Sequence, residues 1–163
     1  MHREAFDWVA ACASDLAPAH VLEFGSRDIN GGVRGLFLSA VTYTGVDLHD
    51  GPSVDVVADV RYYTHDRLVD VVVSTELLEH VEHPELVVDA AYRNLRRPGV
   101  FIATAAGVHR PPHGADGSPK PAPGEWYDNI SLEQLTAALG DAGFDDWTVR
   151  DTGRDIYCEA HTR

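Results

Sequence analysis

The sequence predicts an α/β fold: a doubly wound, mostly parallel sheet closed by a C-terminal antiparallel hairpin. Three observations carry this. From residue 20 onward, short apolar runs ending in Gly, Asp or Ser alternate with helical segments, the pattern of strand–helix–strand units with right-handed crossovers. Residues 69–74 are almost unbroken valine, as in a central parallel strand covered on both faces. The last two strand-like runs are joined only by Thr152-Gly153-Arg154, which makes them a hairpin.

Residues 3–16 read as an amphipathic helix with Phe6, Val9, Ala10, Ala13 and Leu16 at helical spacing, stopped by Pro18. Residues 20–25 form a short strand ending in Gly25, and 30–39 read as a helix with Val33, Leu36 and Phe37 on one face. Strands over 42–48 and 54–60 follow, then a short helix or turn at 61–68 and the fourth strand at 69–74. Residues 76–97 read as the longest helix, ended by Pro98-Gly99, and 100–105 as the fifth strand. Residues 107–125 hold five prolines, four glycines and two histidines, a composition that suits a loop over an opening. Ser131 and Gln134 make a capping box for a helix over 131–142 that Gly143 ends. The hairpin strands are 147–151 and 155–161. Residues 1–163 are expected to form a single domain, with the N-terminal helix inside 1–18 and a substrate-side loop at 107–130.

Charge excludes partners. The chain carries 13 Lys+Arg against 26 Asp+Glu, a net charge of −13, and Lys120 is its only lysine. The scattered basic residues form no stripe for a phosphate backbone, which argues against nucleic acid, and the acidic surface repels anionic membranes. Hydrophobic residues make up 44% of the chain, enough for a buried core. No run approaches the roughly 18 apolar residues of a membrane span. The N-terminus, with Glu4, Asp7 and Asp15, lacks a signal-peptide pattern. Cys12 and Cys158 alone form neither a disulfide framework nor a four-ligand zinc site. A cytoplasmic location is therefore expected. Arg-over-Lys and Ala/Val/Asp-rich usage suggests a GC-rich bacterial or phage genome.

In a doubly wound sheet ligands bind at the carboxyl ends of the strands. Those ends read Glu23-Phe24-Gly25-Ser26, Asp47-Leu48, Asp59-Val60, Ser74-Thr75-Glu76 and Thr104-Ala105. Gly25 lets a ligand approach the backbone. Asp47 lies 22 residues after Gly25, about the spacing at which an acid reaches a ribose diol. The same acids also fit as helix caps or ordinary turn residues.

These segments, with Leu78-Glu79-His80-Val81 and Leu95-Arg96-Arg97-Pro98-Gly99, resemble class I S-adenosylmethionine-dependent methyltransferases of the small type 11/12 group. The resemblance runs from about residue 20 to 163. It implies a Rossmann-like sheet of strand order 3-2-1-4-5-7-6 and S-adenosyl-L-methionine as cofactor. It implies that Glu23 orients the methionine amino group and that Gly25 and Ser26 floor the methionine and ribose. Asp47 would take the ribose hydroxyls and Asp59 the adenine amine. The Val60 amide would face the ring while Leu48 packs on it, and Ser74, Thr75 and Glu76 would line the methionine end. One departure stands out: the second glycine of the family's loop is Arg27 here.

The loop also lacks the Gly-x-Gly-x-x-Gly fingerprint of a dehydrogenase, because positions 25, 27 and 30 are Gly, Arg and Asn. The Asn/Asp-Pro-Pro-aromatic motif of amino-methylating nucleic-acid enzymes is absent after the fourth strand. Candidate bases are His80, His109 and His113, with Glu76 beside them. Trp126 and Tyr127 are candidate substrate-binding aromatics. His80, His83, His109 and His113 are metal-ligand types, but the resemblance requires no metal and none is expected. The expected activity is in-line methyl transfer to a small-molecule or sugar-like acceptor. A methyltransferase-like, non-catalytic binding or structural subunit is the alternative. With so short a substrate-side segment, either the acceptor is small or a homodimer mate or another subunit completes the pocket.

Overall fold

A computed structural model describes residues 1–163. The helices are α1 (Arg3–Ala13), α2 (Pro84–Asn94) and α3 (Leu132–Ala142). The strands are β1 (His20–Phe24), β2 (Thr42–Asp47), β3 (Val56–Val57), β4 (Val69–Thr75), β5 (Leu95–Ala106), β6 (Asp146–Asp151) and β7 (Asp155–Thr162). They form one seven-stranded sheet in the expected order β3-β2-β1-β4-β5-β7-β6. The first five strands are parallel, and β7 pairs antiparallel with both β5 and β6.

The central strands are covered on both faces, as their composition requires. Leu22, Phe24 and Val72 join the core under α2 and α3, while Val21, Val71 and Val73 join a second core under α1. The α3 start is as predicted, with the Ser131 hydroxyl accepting from the Gln134 amide at 3.1 Å. Gly143 ends this helix at φ 100°, a left-handed conformation natural to glycine.

Four local readings are corrected. The strand expected over 54–60 is only the two-residue β3, because Asp59 caps the 3-10 turn Val60–Tyr62 and ends it. The helix expected at 30–39 is a single 3-10 turn, Arg34–Phe37, because Gly31, Gly32 and Gly35 make a longer helix costly. The helix expected at 76–97 is only α2, preceded by a 3-10 turn at Leu78–His80. Glu76 is left-handed at φ 53°, and Pro84 takes the first turn of α2, the helical position proline tolerates. In α1 the inward face is Ala5, Val9 and Ala13, and Phe6 is exposed.

Candidate active site

The strand order reverses at β1, which lies between β2 and β4, so three carboxyl ends open beside one another. Glu23, at the end of β1, is 3% exposed and accepts from the Tyr43 hydroxyl at 2.9 Å. Burial pushes its carboxyl up to about 7, against the Tyr43 hydrogen bond and the Arg34 charge. Gly25 turns the chain at φ 74°, and a Cβ there would stand 3.2 Å from Leu77, so glycine is required. The Gly25 and Ser26 amides both donate to the Val46 carbonyl, at 2.9 and 3.2 Å. The buried Ser26 hydroxyl, without a partner, packs on Gly45, where a Cβ would come within 2.6 Å of it.

Asp47, at the end of β2, accepts from the Arg27 amide at 3.1 Å and the His49 amide at 2.9 Å, one on each oxygen. Each oxygen keeps a further lone pair for a ligand hydroxyl. The Arg27 stem lies along the β2–β3 connection, where a Cβ on Gly51 would be 2.8 Å from its Cγ. Leu48 stands exposed at the rim. Asp59 is differently placed. It caps the 3-10 turn Val60–Tyr62 through the Arg61 amide at 3.1 Å and binds the Arg61 guanidinium at 3.0 and 2.7 Å. The Arg61 hydrogen bond holds this carboxyl below its ordinary value. An adenine amine would have to share Asp59 with Arg61. Val60 beneath it is buried.

At the end of β4, Ser74 is fully buried with an unpartnered hydroxyl, followed by half-buried Thr75. Glu76 accepts from the Thr104 hydroxyl at 2.9 Å and from Arg110 at 2.7 Å. Arg110 also binds Asp155 at 2.7 Å, and the His2 ring stands 3.5 Å from both carboxylates. Burial would raise Glu76, but the neighbouring His2 ring and the Arg110 charge outweigh it and hold it ionised. A carboxylate so engaged is a poor proton acceptor. A cavity of about 880 Å³ shares Arg110, Asp155 and His2 with this network and extends to Trp8, Arg150 and Tyr157.

The structure brings His80, His113 and Tyr127 together. Their rings meet edge-on, with centroids 5.2 Å apart for His80–His113, 5.3 Å for His80–Tyr127 and 5.0 Å for His113–Tyr127. Burial, with His113 beside it, lowers His80 to about 4, so its ring is neutral near pH 7. Beneath them Glu79 is fully buried, and burial together with the Glu76 charge raises its carboxyl. Two predicted residues stand apart. His109 is exposed against the hairpin turn, its amide donating to the Gly153 carbonyl at 2.8 Å. Trp126 is 44% exposed. His83 is also exposed, beside Glu85.

Sequence reasoning assigned no role to His2, Glu79, Arg110 or Asp155. The only signals were Glu79 inside Leu78-Glu79-His80-Val81 and Arg110 inside Arg110-Pro111-Pro112-His113. His2 and Asp155 meet Glu76 only through the fold.

A doubly wound sheet with acids at the switch in strand order defines a nucleoside-binding α/β domain. The chain belongs to the methyltransferase domain family, whose pattern matches residues 1–149. No curated protein matches the sequence significantly. Solved structures do match. One is 1,6-didemethyltoxoflavin-N1-methyltransferase of Burkholderia thailandensis, with bound 1,6-didemethyltoxoflavin and S-adenosylhomocysteine. It is 19% identical with a TM-score of 0.69, over 98% of this chain and 77% of that one. The N-methyltransferase NodS of Bradyrhizobium japonicum, with S-adenosylhomocysteine, is 13% identical with a TM-score of 0.68, over 98% and 85%. Phosphoethanolamine N-methyltransferase 2 of Haemonchus contortus, with S-adenosyl-L-methionine, is 15% identical with a TM-score of 0.72, over 98% and 52%. No helix is long and apolar enough to cross a membrane.

Proposed function

We propose that the chain is an S-adenosylmethionine-dependent methyltransferase acting on a small-molecule acceptor. The observation that carries this is the meeting of Glu23, Gly25 and Asp47 at the switch in strand order, with acceptors rather than a phosphate cradle. The residues fit the cofactor. The buried, partly protonated Glu23 gains most from a nearby cation. Asp47 retains lone pairs for a diol. Gly25 and Ser26 leave the backbone open, and Ser74, Thr75 and Glu76 border the methionine end. Arg27, the departure from the family's loop, turns away along the β2–β3 connection. Leu48 and Val60 offer apolar contact to a base, and Asp59 offers its acceptors if Arg61 shares them.

The cofactor supplies a methyl group on a cationic sulfur. The protein holds the acceptor in line with that methyl group, about 3 Å away, and accepts a proton where the acceptor carries one. Neutral His80 and its neighbour His113 are the candidates for the proton, with Tyr127 packing against both. His109 and Trp126 would meet an acceptor only from the loop side. Small hydroxyl and sugar-like molecules fit the acidic surface and the cavity beside Arg110 better than an anionic polymer does.

Methyl-tritiated S-adenosylmethionine, offered with a panel of small hydroxyl and amine acceptors and with RNA and DNA, tests this. Label is expected in small molecules. Label confined to nucleic acid overturns the acceptor class. Cofactor binding without transfer to any acceptor favours a non-catalytic binding subunit.

A further inference from the structure

We propose that Glu79, His80 and His113 form a binding site for a divalent first-row transition-metal ion. Each offers one ligand atom, and the three atoms lie within 4.8 Å of one another. Glu79 is 0% exposed, and although the Glu79 and Ala106 backbone amides approach its carboxyl, neither oxygen completes a hydrogen bond of normal geometry. The other buried carboxylates are answered: Glu23 by Tyr43, Asp70 by the Ala19 and His20 amides, Glu76 and Asp155 by Arg110. Nδ1 of His80 and the hydroxyl of Tyr127 are also buried without partners. An unanswered buried polar atom costs about 1–3 kcal/mol, and four of them, from the turn carrying Glu79 and His80 and from the loop carrying Tyr127, lie in one cluster.

Two imidazoles with one carboxylate suit zinc, cobalt, manganese or iron rather than calcium or magnesium, which prefer oxygen. Bonds of about 2.1 Å set tetrahedral ligand atoms roughly 3.4 Å apart, so the cluster closes by about 1 Å or somewhat more around an ion. His113 supplies this movement, being half-buried on the connection between β5 and α3. That connection already returns to the turn carrying Glu79, where the Asp128 amide donates to the Glu79 carbonyl at 2.9 Å. An ion would clip the proline-rich loop to the end of β4 and keep a coordination position open for an oxygen ligand, and with their single lone pairs on the ion His80 and His113 would accept a proton only in its absence.

The test uses the full chain after chelator treatment, titrated with Co²⁺ and with Zn²⁺ in the absence of S-adenosylmethionine. Its outcome is therefore independent of cofactor binding and methyl transfer. Calorimetry and the visible absorption of bound Co²⁺ are expected to report one ion per chain. Glu79→Gln, which keeps the buried shape, and His113→Ala, on the loop, are each expected to weaken binding roughly tenfold or more. His83→Ala, at an exposed histidine outside the cluster, leaves binding unchanged. Absence of stoichiometric binding by the wild-type chain overturns the proposal and leaves a metal-free Glu79–His80 pair. So does wild-type affinity in both cluster variants.

Discussion

Glu23 carries a stability cost that its proposed role at the cofactor would explain. Its carboxyl titrates near 7 in the folded chain instead of near 4.5, because burial disfavours the charge. The folded state therefore holds its proton more tightly than the unfolded state. No destabilisation arises below about pH 4.5; it grows as pH rises and is complete above about 7, reaching about 3 kcal/mol. Glu23→Gln, whose amide oxygen still accepts from Tyr43, is expected to melt higher than wild type at pH 8 and like wild type at pH 4. The same variant should bind S-adenosylhomocysteine more weakly, since the cationic amine loses its carboxylate. Thermal melts and calorimetry check both halves. The placing of Glu23, Gly25 and Asp47 at adjacent strand ends was legible because each closes a short apolar run. The engagement of Asp59 by Arg61 was not, although only two positions separate them, because Asp59 caps a turn that brings Arg61 back onto it.

At the scale of elements, the N-terminal helix is docked through a titratable residue. The His2 ring meets Glu76 and Asp155 at 3.5 Å and Glu4 at 3.1 Å, with Arg110 between the two deeper carboxylates. The Glu76 carboxylate beside it raises its pKa above the ordinary histidine value, against burial and the Arg110 charge. A raised histidine stabilises the fold fully below its unfolded value and loses that contribution as pH rises through its folded value. The melting-temperature gap between wild type and His2→Ala is therefore expected to be larger at about pH 5.5 than at about pH 8.5. A gap independent of pH would show that His2 only packs. Strands were more legible than helices for a physical reason. The valine runs match a sheet buried on both faces, whereas residues 76–83 carry helical periodicity that the left-handed Glu76 and the 3-10 turn override. The cluster of Glu79, His80, His113 and Tyr127 was invisible as a unit because its members come from a turn and a distant loop.

At the scale of the whole molecule, the strand order was legible because the connections leave few alternatives: crossovers make the first five strands parallel, and the three-residue joint fixes the hairpin. The charge of −13 acts at the same scale. Fluorescence anisotropy with labelled RNA or duplex DNA at about 0.1 M salt is expected to show no binding, since the protein has no basic stripe to release counterions. The proposed function places S-adenosylmethionine at the switch in strand order, with Asp47 on its ribose. Titration calorimetry of S-adenosylhomocysteine into wild type and Asp47→Asn tests it most directly. One-site binding by wild type is expected, with weakening by roughly tenfold or more in the variant, because a charged hydrogen-bond acceptor is removed. No binding by wild type, or equal binding by both proteins, would contradict it.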